Sequence, residues 1–523
     1  MQEPATQIEG APSVGGPRPA VYVARRMLIR RRQFLGWSAA AAAATTLPMK
    51  RGRAAKAAPR LTEFPKGFVW GAAAASYQVE GAAAADGKGP SIWDMFTRKP
   101  GAIWKDHTGD VACDHYHRYK EDVAIMKSLG IPAYRLSISW PRVLPDGTGA
   151  PNAKGLDFYD RLIDELLAAG ITPWVTLYHW DLPLALYHRG GWLNRDVGGW
   201  FADYAALMAK RTGDRVKHWM PLNEPQVFLG AGLIQGRHAP GDKLRFAEFL
   251  LAAHNTLLAH GRAVQALRAT AKLPARIGTA QAGYNYVPAT DSAADLAATR
   301  ARYFATADDS YKQNAYWLDP MILGRYPEDA VKLYGAAMPA IRAGDMETIK
   351  QRLDFLGMTL YSAESPIRRG KEGKPEALPW PPGYPMTGFD WPVVPSILRL
   401  IPTWLHERYK LPIVIAENGL SVRDWVAADG GVHDPDRIDF LARYLREMAA
   451  AIAAGVPIEG YFQWSILDNF EWAEGYKHRF GLVYVNYETQ KRTIKDSGKW
   501  YRDVIASNGR NLLATTAPDP RMY

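Results

Sequence analysis

One cysteine, Cys113, is all that a chain of 523 residues contains. An intramolecular disulfide is therefore excluded, and a cysteine-based metal site is disfavoured. His115 and His117 have an H-x-H look, but no carboxylate or cysteine constellation completes a metal site, and the pair reads as a helix start. There is no Gly-x-Ser-x-Gly elbow to support a serine hydrolase, and Gly87-Lys88-Gly89 lacks the spacing of a phosphate loop. Beyond about residue 60 no long linker, low-complexity tract or internal repeat interrupts the chain. A hydrophobic content of 47% and a charged content of 22% are those of an ordinary folded protein.

The body of the chain also has little net charge. The whole carries +11, yet residues 1–60 alone hold 11 Lys and Arg against 2 acids. Nucleic-acid binding needs a basic face on the folded part, and the basic residues sit in the leader instead.

That leader is readable. Arg30-Arg31-Arg32-Gln33-Phe34-Leu35 precedes a modest apolar run from Gly36 through the alanines Ala39–Ala44 to Leu47. Paired arginines before Phe34-Leu35 resemble a twin-arginine signal, a bacterial address for exporting folded proteins to the periplasm or beyond. The run is too short and too weakly hydrophobic for a membrane span. Residues 1–57 are thus expected to be a leader, 58–507 a single folded domain and 508–523 a tail.

Eight short apolar runs read as strands: 68–74, 133–139, 172–178, 218–223, 276–283, 355–361, 412–418 and 458–465. Most are continuously apolar rather than alternating, as expected of parallel strands covered on both faces. Amphipathic stretches at 116–129, 155–169, 196–212, 244–269, 395–409 and 436–454 separate them, several ending at a glycine (Gly130, Gly170, Gly455). Eight alternations predict an α/β (β/α)8 TIM barrel, with long βα loops absorbing the residues beyond the usual ~250. A doubly wound open sheet also fits the alternation, but no Gly-rich phosphate fingerprint follows the first strand.

Two glutamates stand where apolar runs open into loops. Glu224 follows Met220-Pro221-Leu222-Asn223, and Glu417 follows Ile413-Val414-Ile415-Ala416. An ionised group there needs partners or a task, and paired carboxylates suggest acid/base or nucleophilic work, glycoside hydrolysis above all. Two unrelated capping or ion-paired residues are the plain alternative. In a barrel both fall at the C-terminal ends of strands four and seven, the face where such folds keep their active sites.

Six segments in order carry a resemblance. They are Phe64-Pro65-Lys66-Gly67-Phe68-Val69-Trp70-Gly71 with Gln78-Val79-Glu80-Gly81, Tyr134-Arg135-Leu136-Ser137-Ile138-Ser139-Trp140-Pro141-Arg142, His179-Trp180-Asp181-Leu182-Pro183, Leu222-Asn223-Glu224-Pro225, Glu417-Asn418-Gly419, and Trp464-Ser465-Ile466-Leu467-Asp468-Asn469-Phe470-Glu471-Trp472. Together they resemble the signatures of glycoside hydrolase family 1, the β-glucosidase family, from about residue 64 to 505.

The resemblance implies a retaining β-glycosidase, most simply a β-glucosidase, with no metal or organic cofactor and a small β-glycoside or oligosaccharide as substrate. Glu224 would be the acid/base and Glu417 the nucleophile. Arg135 and Tyr361 would orient Glu417, and Asn223 would hold the sugar 2-hydroxyl. Gln78, His179 and Glu471 would clamp the other hydroxyls, with Trp464 as apolar floor under the ring and Trp472 hydrogen-bonding a hydroxyl. Without that context Arg135 is equally an ion-pair partner, His179 a strand-end histidine and Trp464 core packing. A carboxylate at Glu471 repels a sugar 6-phosphate, although Tyr476 and Lys477 keep a phospho-β-glucosidase open.

A β-galactosidase, a β-fucosidase or a transglycosidase would use the same site, whereas a silent sugar-binding relative would typically lose one glutamate. The chain departs from the family pattern at Pro221, Ala282, Thr359 and Ala416, and three of these four changes remove a polar group near the pocket.

Overall fold

The computed structural model describes residues 60–514, so the leader and the last nine residues of the expected tail lie outside the described part. Eight parallel strands form the centre: β1 (Val69–Ala73), β2 (Ala133–Ser137), β3 (Thr172–Tyr178), β4 (His218–Leu222), β5 in two pieces (Arg276–Ile277 and Gln281–Ala282), β6 (Leu356–Thr359), β7 (Ile413–Asn418) and β8 (Ile458–Trp464). Their hydrogen-bonded order is 5-4-3-2-1-8-7-6-5: the first piece of β5 pairs with β4 and the second with β6. Because the two ends of the sheet are halves of one strand, the sheet closes on itself as a TIM barrel.

The interior is a plug of side chains. Trp174, Met220, Ala280, Phe355, Val414, Ala416 and Phe462 are buried within it, and Trp464 and Phe480 extend it upward. Trp174 meets the ring of Phe355 at 5.4 Å and that of Phe462 at 5.0 Å. At the opposite end His218 stacks on Trp174. Outside the barrel the outward strand residues, such as Tyr134, Leu136 and Leu177, pack against the helices.

The helices follow the apolar periodicity. Ala153–Ala168 buries Leu156, Tyr159, Leu162, Ile163 and Leu166, one stripe at 3.6-residue spacing. Gly170 behind it has φ +78°, the left-handed stop that glycine adopts without a Cβ penalty. Ile397–Tyr409 and Pro435–Ala453 are built the same way. His115 and His117 open the helix His115–Ser128, where His115 Nδ1 lies 2.7 Å from Asp122.

The structure corrects two boundaries. The run 276–283 is not one continuous strand. Thr279 interrupts it, its hydroxyl donating to the Gly357 carbonyl (2.9 Å) and accepting from the Gly357 amide (3.1 Å) in place of main-chain pairing. Tyr361 lies two residues beyond the end of β6 rather than at it. Chain 510–514 forms a last helical turn with Leu512 buried, and Asn508 accepts from Trp70 Nε1 and donates to the Phe64 carbonyl.

The β5/β6 stitch is tight enough to test. A Cβ on Gly357 would stand 2.0 Å from the Thr279 carbonyl oxygen. Backbone cannot yield as a flexible side chain does, so Gly357→Ala should cost about 1–3 kcal/mol, the usual penalty of overpacking. A lower denaturation midpoint with unchanged slope in urea is the expected reading.

Candidate active site

At the C-terminal ends of the strands a cavity of about 610 Å³ opens, with Glu224 and Glu417 both in its wall. Glu417 sits on β7 where pairing with β6 and β8 shifts register, a bulge that re-aims the side chain into the mouth. Gly419 follows because a Cβ there would meet the Trp464 carbonyl at 1.8 Å. Glu224 lies two residues beyond the end of β4 with φ +47°, and Trp180 (φ +83°) and Trp472 (φ +50°) at the same mouth are also left-handed. Each such non-glycine residue costs on the order of 1–3 kcal/mol, and this kind of strain clusters where side-chain aim matters.

Glu417 is held from two sides. Arg135 Nη1 donates to its Oε1 at 2.5 Å, and Tyr361 Oη donates to its Oε2 at 2.7 Å. Both partners are fixed in turn. Arg135 is 1% exposed in β2 and gives Nη2 to Asn223 Oδ1 at 2.6 Å. Tyr361 is placed through its main chain: its carbonyl accepts from Tyr444, and the Leu360 amide donates to the Glu417 carbonyl. Burial and the nearby Glu417 and Glu224 charges raise the Tyr361 phenol, so it remains a donor.

Glu224 has the opposite environment. Burial first, and the Glu417 charge second, push its carboxyl up from the ordinary range, while Thr359 and Arg135 pull the other way. An acid with a raised pKa beside a paired carboxylate is the division of labour that two-carboxylate hydrolases need.

Around the pair lies a sugar-sized lining. His179 and Trp464 stack at 5.6 Å and 19°, and His179 and Trp472 at 5.8 Å and 19°. Burial, with help from Arg135, drives the His179 pKa well down, so the ring is neutral. Asn223 Oδ1 already accepts from Arg135; its Nδ2 therefore donates to His179 Nε2 (3.1 Å), which places the ring proton on Nδ1. Gln78 Nε2 donates to the Phe470 carbonyl (2.9 Å) and to Glu471 Oε2 (3.2 Å), while its Oε1 is buried and unpartnered within the protein. Burial pushes Glu471 up to about 8 despite donation from Asn469. A carboxyl near neutrality both donates to and accepts from hydroxyls.

Of the ten site residues expected from sequence, His179, Glu224, Tyr361, Glu417, Trp464, Glu471 and Trp472 line the cavity. Gln78, Arg135 and Asn223 stand directly behind them. Among the cavity residues not anticipated as site residues, three bear on its chemistry or its rim. Trp180 lines the wall and fixes the Asn223 carbonyl through Nε1 (2.9 Å). Trp391 stacks on Phe389 at the outer rim. Thr359 contacts Glu224 directly. The His-Trp-Asp motif was the available signal for Trp180; Thr359 looked only like a departure from a family pattern. Tyr476 and Lys477 are engaged elsewhere, by the Thr108 carbonyl and by Glu474.

A closed parallel barrel with two unequally partnered carboxylates in one aromatic-lined mouth defines a hydrolase acting on glycosides. The chain belongs to glycosyl hydrolase family 1, whose pattern matches residues 61–510. It is 46% identical over 448 residues to "Beta-glucosidase A" of Thermotoga maritima, covering 86% of this chain and 98% of that one. It is 45% identical to "1,4-beta-D-glucan glucohydrolase" of Thermotoga neapolitana, covering 86% and 99%. The solved family 1 β-glucosidase from Thermotoga maritima superposes with a TM-score of 0.79 at 45% identity, covering 86% of this chain and 98% of that one. Residues 29–48 match a twin-arginine translocation signal, so the chain carries an address for the export machinery.

Proposed function

We propose that this protein is an exported retaining β-glucosidase, acting in the periplasm or outside the cell on terminal β-D-glucosyl residues. The observation that carries the reading is the asymmetry of the two carboxyls in one cavity: Glu417 ion-paired to Arg135 and hydrogen-bonded by Tyr361, Glu224 buried with a raised pKa.

In the first step a Glu417 oxygen attacks the anomeric carbon, the bond from that carbon to the aglycone oxygen breaks, and Glu224 passes its proton to the leaving oxygen. In the second, Glu224 takes a proton from water as the water oxygen attacks the same carbon, and the bond to Glu417 breaks. Two inversions leave the β configuration. Arg135 and Tyr361 orient the nucleophile, and one N–H of Asn223 remains for the 2-hydroxyl. Trp464 supports the apolar face of the ring, and Gln78, His179, Glu471 and Trp472 hold its hydroxyls. No metal or organic cofactor enters this sequence of steps. Glu471 is half-buried and met by the amides of Gln78 and Asn469, so a 6-phosphate there would face a carboxyl rather than a cation.

A panel of nitrophenyl β-glycosides, run on enzyme from the exported fraction, tests the reading. Glucoside should lead galactoside and fucoside, 6-phosphoglucoside should be refused, and NMR should show the β-anomer of glucose forming first. The α-anomer would overturn retention, and a faster 6-phosphoglucoside would overturn the free-sugar assignment.

A further inference from the structure

Among the described residues, Thr359 is the one whose side chain is hydrogen-bonded to the Glu224 carboxyl. Its Oγ1 contacts Glu224 Oε1 and also lies 3.2 Å from the Gln281 carbonyl oxygen. The hydroxyl has one proton and can turn it either way. Toward a charged Glu224 it donates to Oε1. Toward a neutral one it donates to the same Oε1, now the carbonyl oxygen, so that the acid's proton rides on Oε2.

The surroundings hold this geometry rigid. Glu224 donates its amide to the Ala280 carbonyl at 2.7 Å, tying the acid's main chain to β5. Two residues on, Gln226 Nε2 donates to Gln281 Oε1 at 2.8 Å. Thr359 pairs in register with Ala282 across β5 and β6 and with Glu417 across β6 and β7. The acid, the threonine and the Gln281 carbonyl are thus fastened to one another through three strands, and Thr359 is only 3% exposed.

We propose that Thr359 is a positioning residue for the acid/base: its hydroxyl claims one oxygen of Glu224 in every charge state, which leaves the other oxygen to carry the proton toward the glycosidic oxygen. The inference rests on the acid/base reading of Glu224. The other groups facing that carboxyl are Glu417 from β7, Arg135 from β2, Glu471 beyond β8, and the phenols of Tyr284 beyond β5 and Tyr361 beyond β6. Among the described residues none of them is hydrogen-bonded to the Glu224 carboxyl, as Thr359 is. Donation from Thr359 favours the charged acid and opposes burial and Glu417.

The test compares Thr359→Val, which keeps the shape and loses the hydroxyl, with Thr359→Ser, which keeps the hydroxyl. For a poor leaving group such as phenyl or methyl β-glucoside, Thr359→Val should lower kcat/KM by about 10- to 100-fold. For 2,4-dinitrophenyl β-glucoside, whose departure needs no proton, kcat/KM should stay within about 3-fold of wild type.

The descending limb of the kcat/KM pH profile, where the acid is lost, should move to higher pH in Thr359→Val and return in Thr359→Ser. Thr359→Ala, with Thr359→Ser as its folded control, supplies the same comparison if the valine variant is unstable. An unmoved limb, or an equal loss on both substrates, overturns the proposal. Glu224→Ala run alongside separates the two readings: if it shows no leaving-group dependence, the role of Glu224 fails; if it does and Thr359→Val does not, only the role of Thr359 fails.

Discussion

Glu417→Gly is expected to abolish hydrolysis of an aryl β-glucoside, by on the order of 10^4- to 10^6-fold, the scale on which loss of a covalent nucleophile acts. In the proposed mechanism Glu224 is committed to the proton and Glu471 to the sugar hydroxyls, so neither replaces it. The variant also leaves Arg135 buried without its anionic partner, since that guanidinium is 1% exposed, and an uncompensated buried charge is costly. Loss of activity alone would therefore confuse a missing nucleophile with a damaged fold.

Added azide resolves this. The small anion fits the space vacated by the side chain, beside the Arg135 charge, and attacks the anomeric carbon once. With an activated substrate the product should be the α-glucosyl azide, inverted relative to the substrate. Activity close to wild type, or a β-azide from this variant, would sink the nucleophile assignment.

The barrel was legible because most of its strands are short, largely apolar runs, which is how a strand covered on both faces must look. The fifth was read as one run, and its break was not legible for a physical reason: the Thr279 hydroxyl replaces main-chain pairing with Gly357, and no local pattern distinguishes a threonine that pairs through its side chain from one that merely sits in a strand. The two glutamates were legible because a carboxylate ending an apolar run is conspicuous. Their unequal partners are tertiary facts, since Arg135 reaches Glu417 across 282 residues of chain and Thr359 reaches Glu224 across 135.

Of the four departures, Ala416 falls in the apolar plug of the barrel, where a methyl packs among Val414 and Phe462. Thr359 is the one the structure reinterprets, because its hydroxyl keeps a polar contact to the acid.

Glu224→Ala carries the second large effect, and its size should depend on the substrate. General acid help contributes about 10^2- to 10^4-fold, or roughly 3–5 kcal/mol, when the leaving oxygen is a poor anion, and almost nothing when it is a good one. Phenyl β-glucoside should therefore lose most of its kcat/KM, whereas 2,4-dinitrophenyl β-glucoside should still form the glycosyl-enzyme quickly and then stall, because the same residue activates water in the second step.

A burst of dinitrophenol followed by slow turnover is the expected trace. Azide should release the stalled intermediate as the β-glucosyl azide, the opposite configuration to that from Glu417→Gly. The pH dependence follows from the raised pKa of Glu224. The acid must be protonated to act, so wild-type kcat/KM on phenyl β-glucoside falls as pH rises through that pKa, and the limb should disappear in the alanine variant. An equal loss on both substrates, with the limb retained, would assign the proton to some other group.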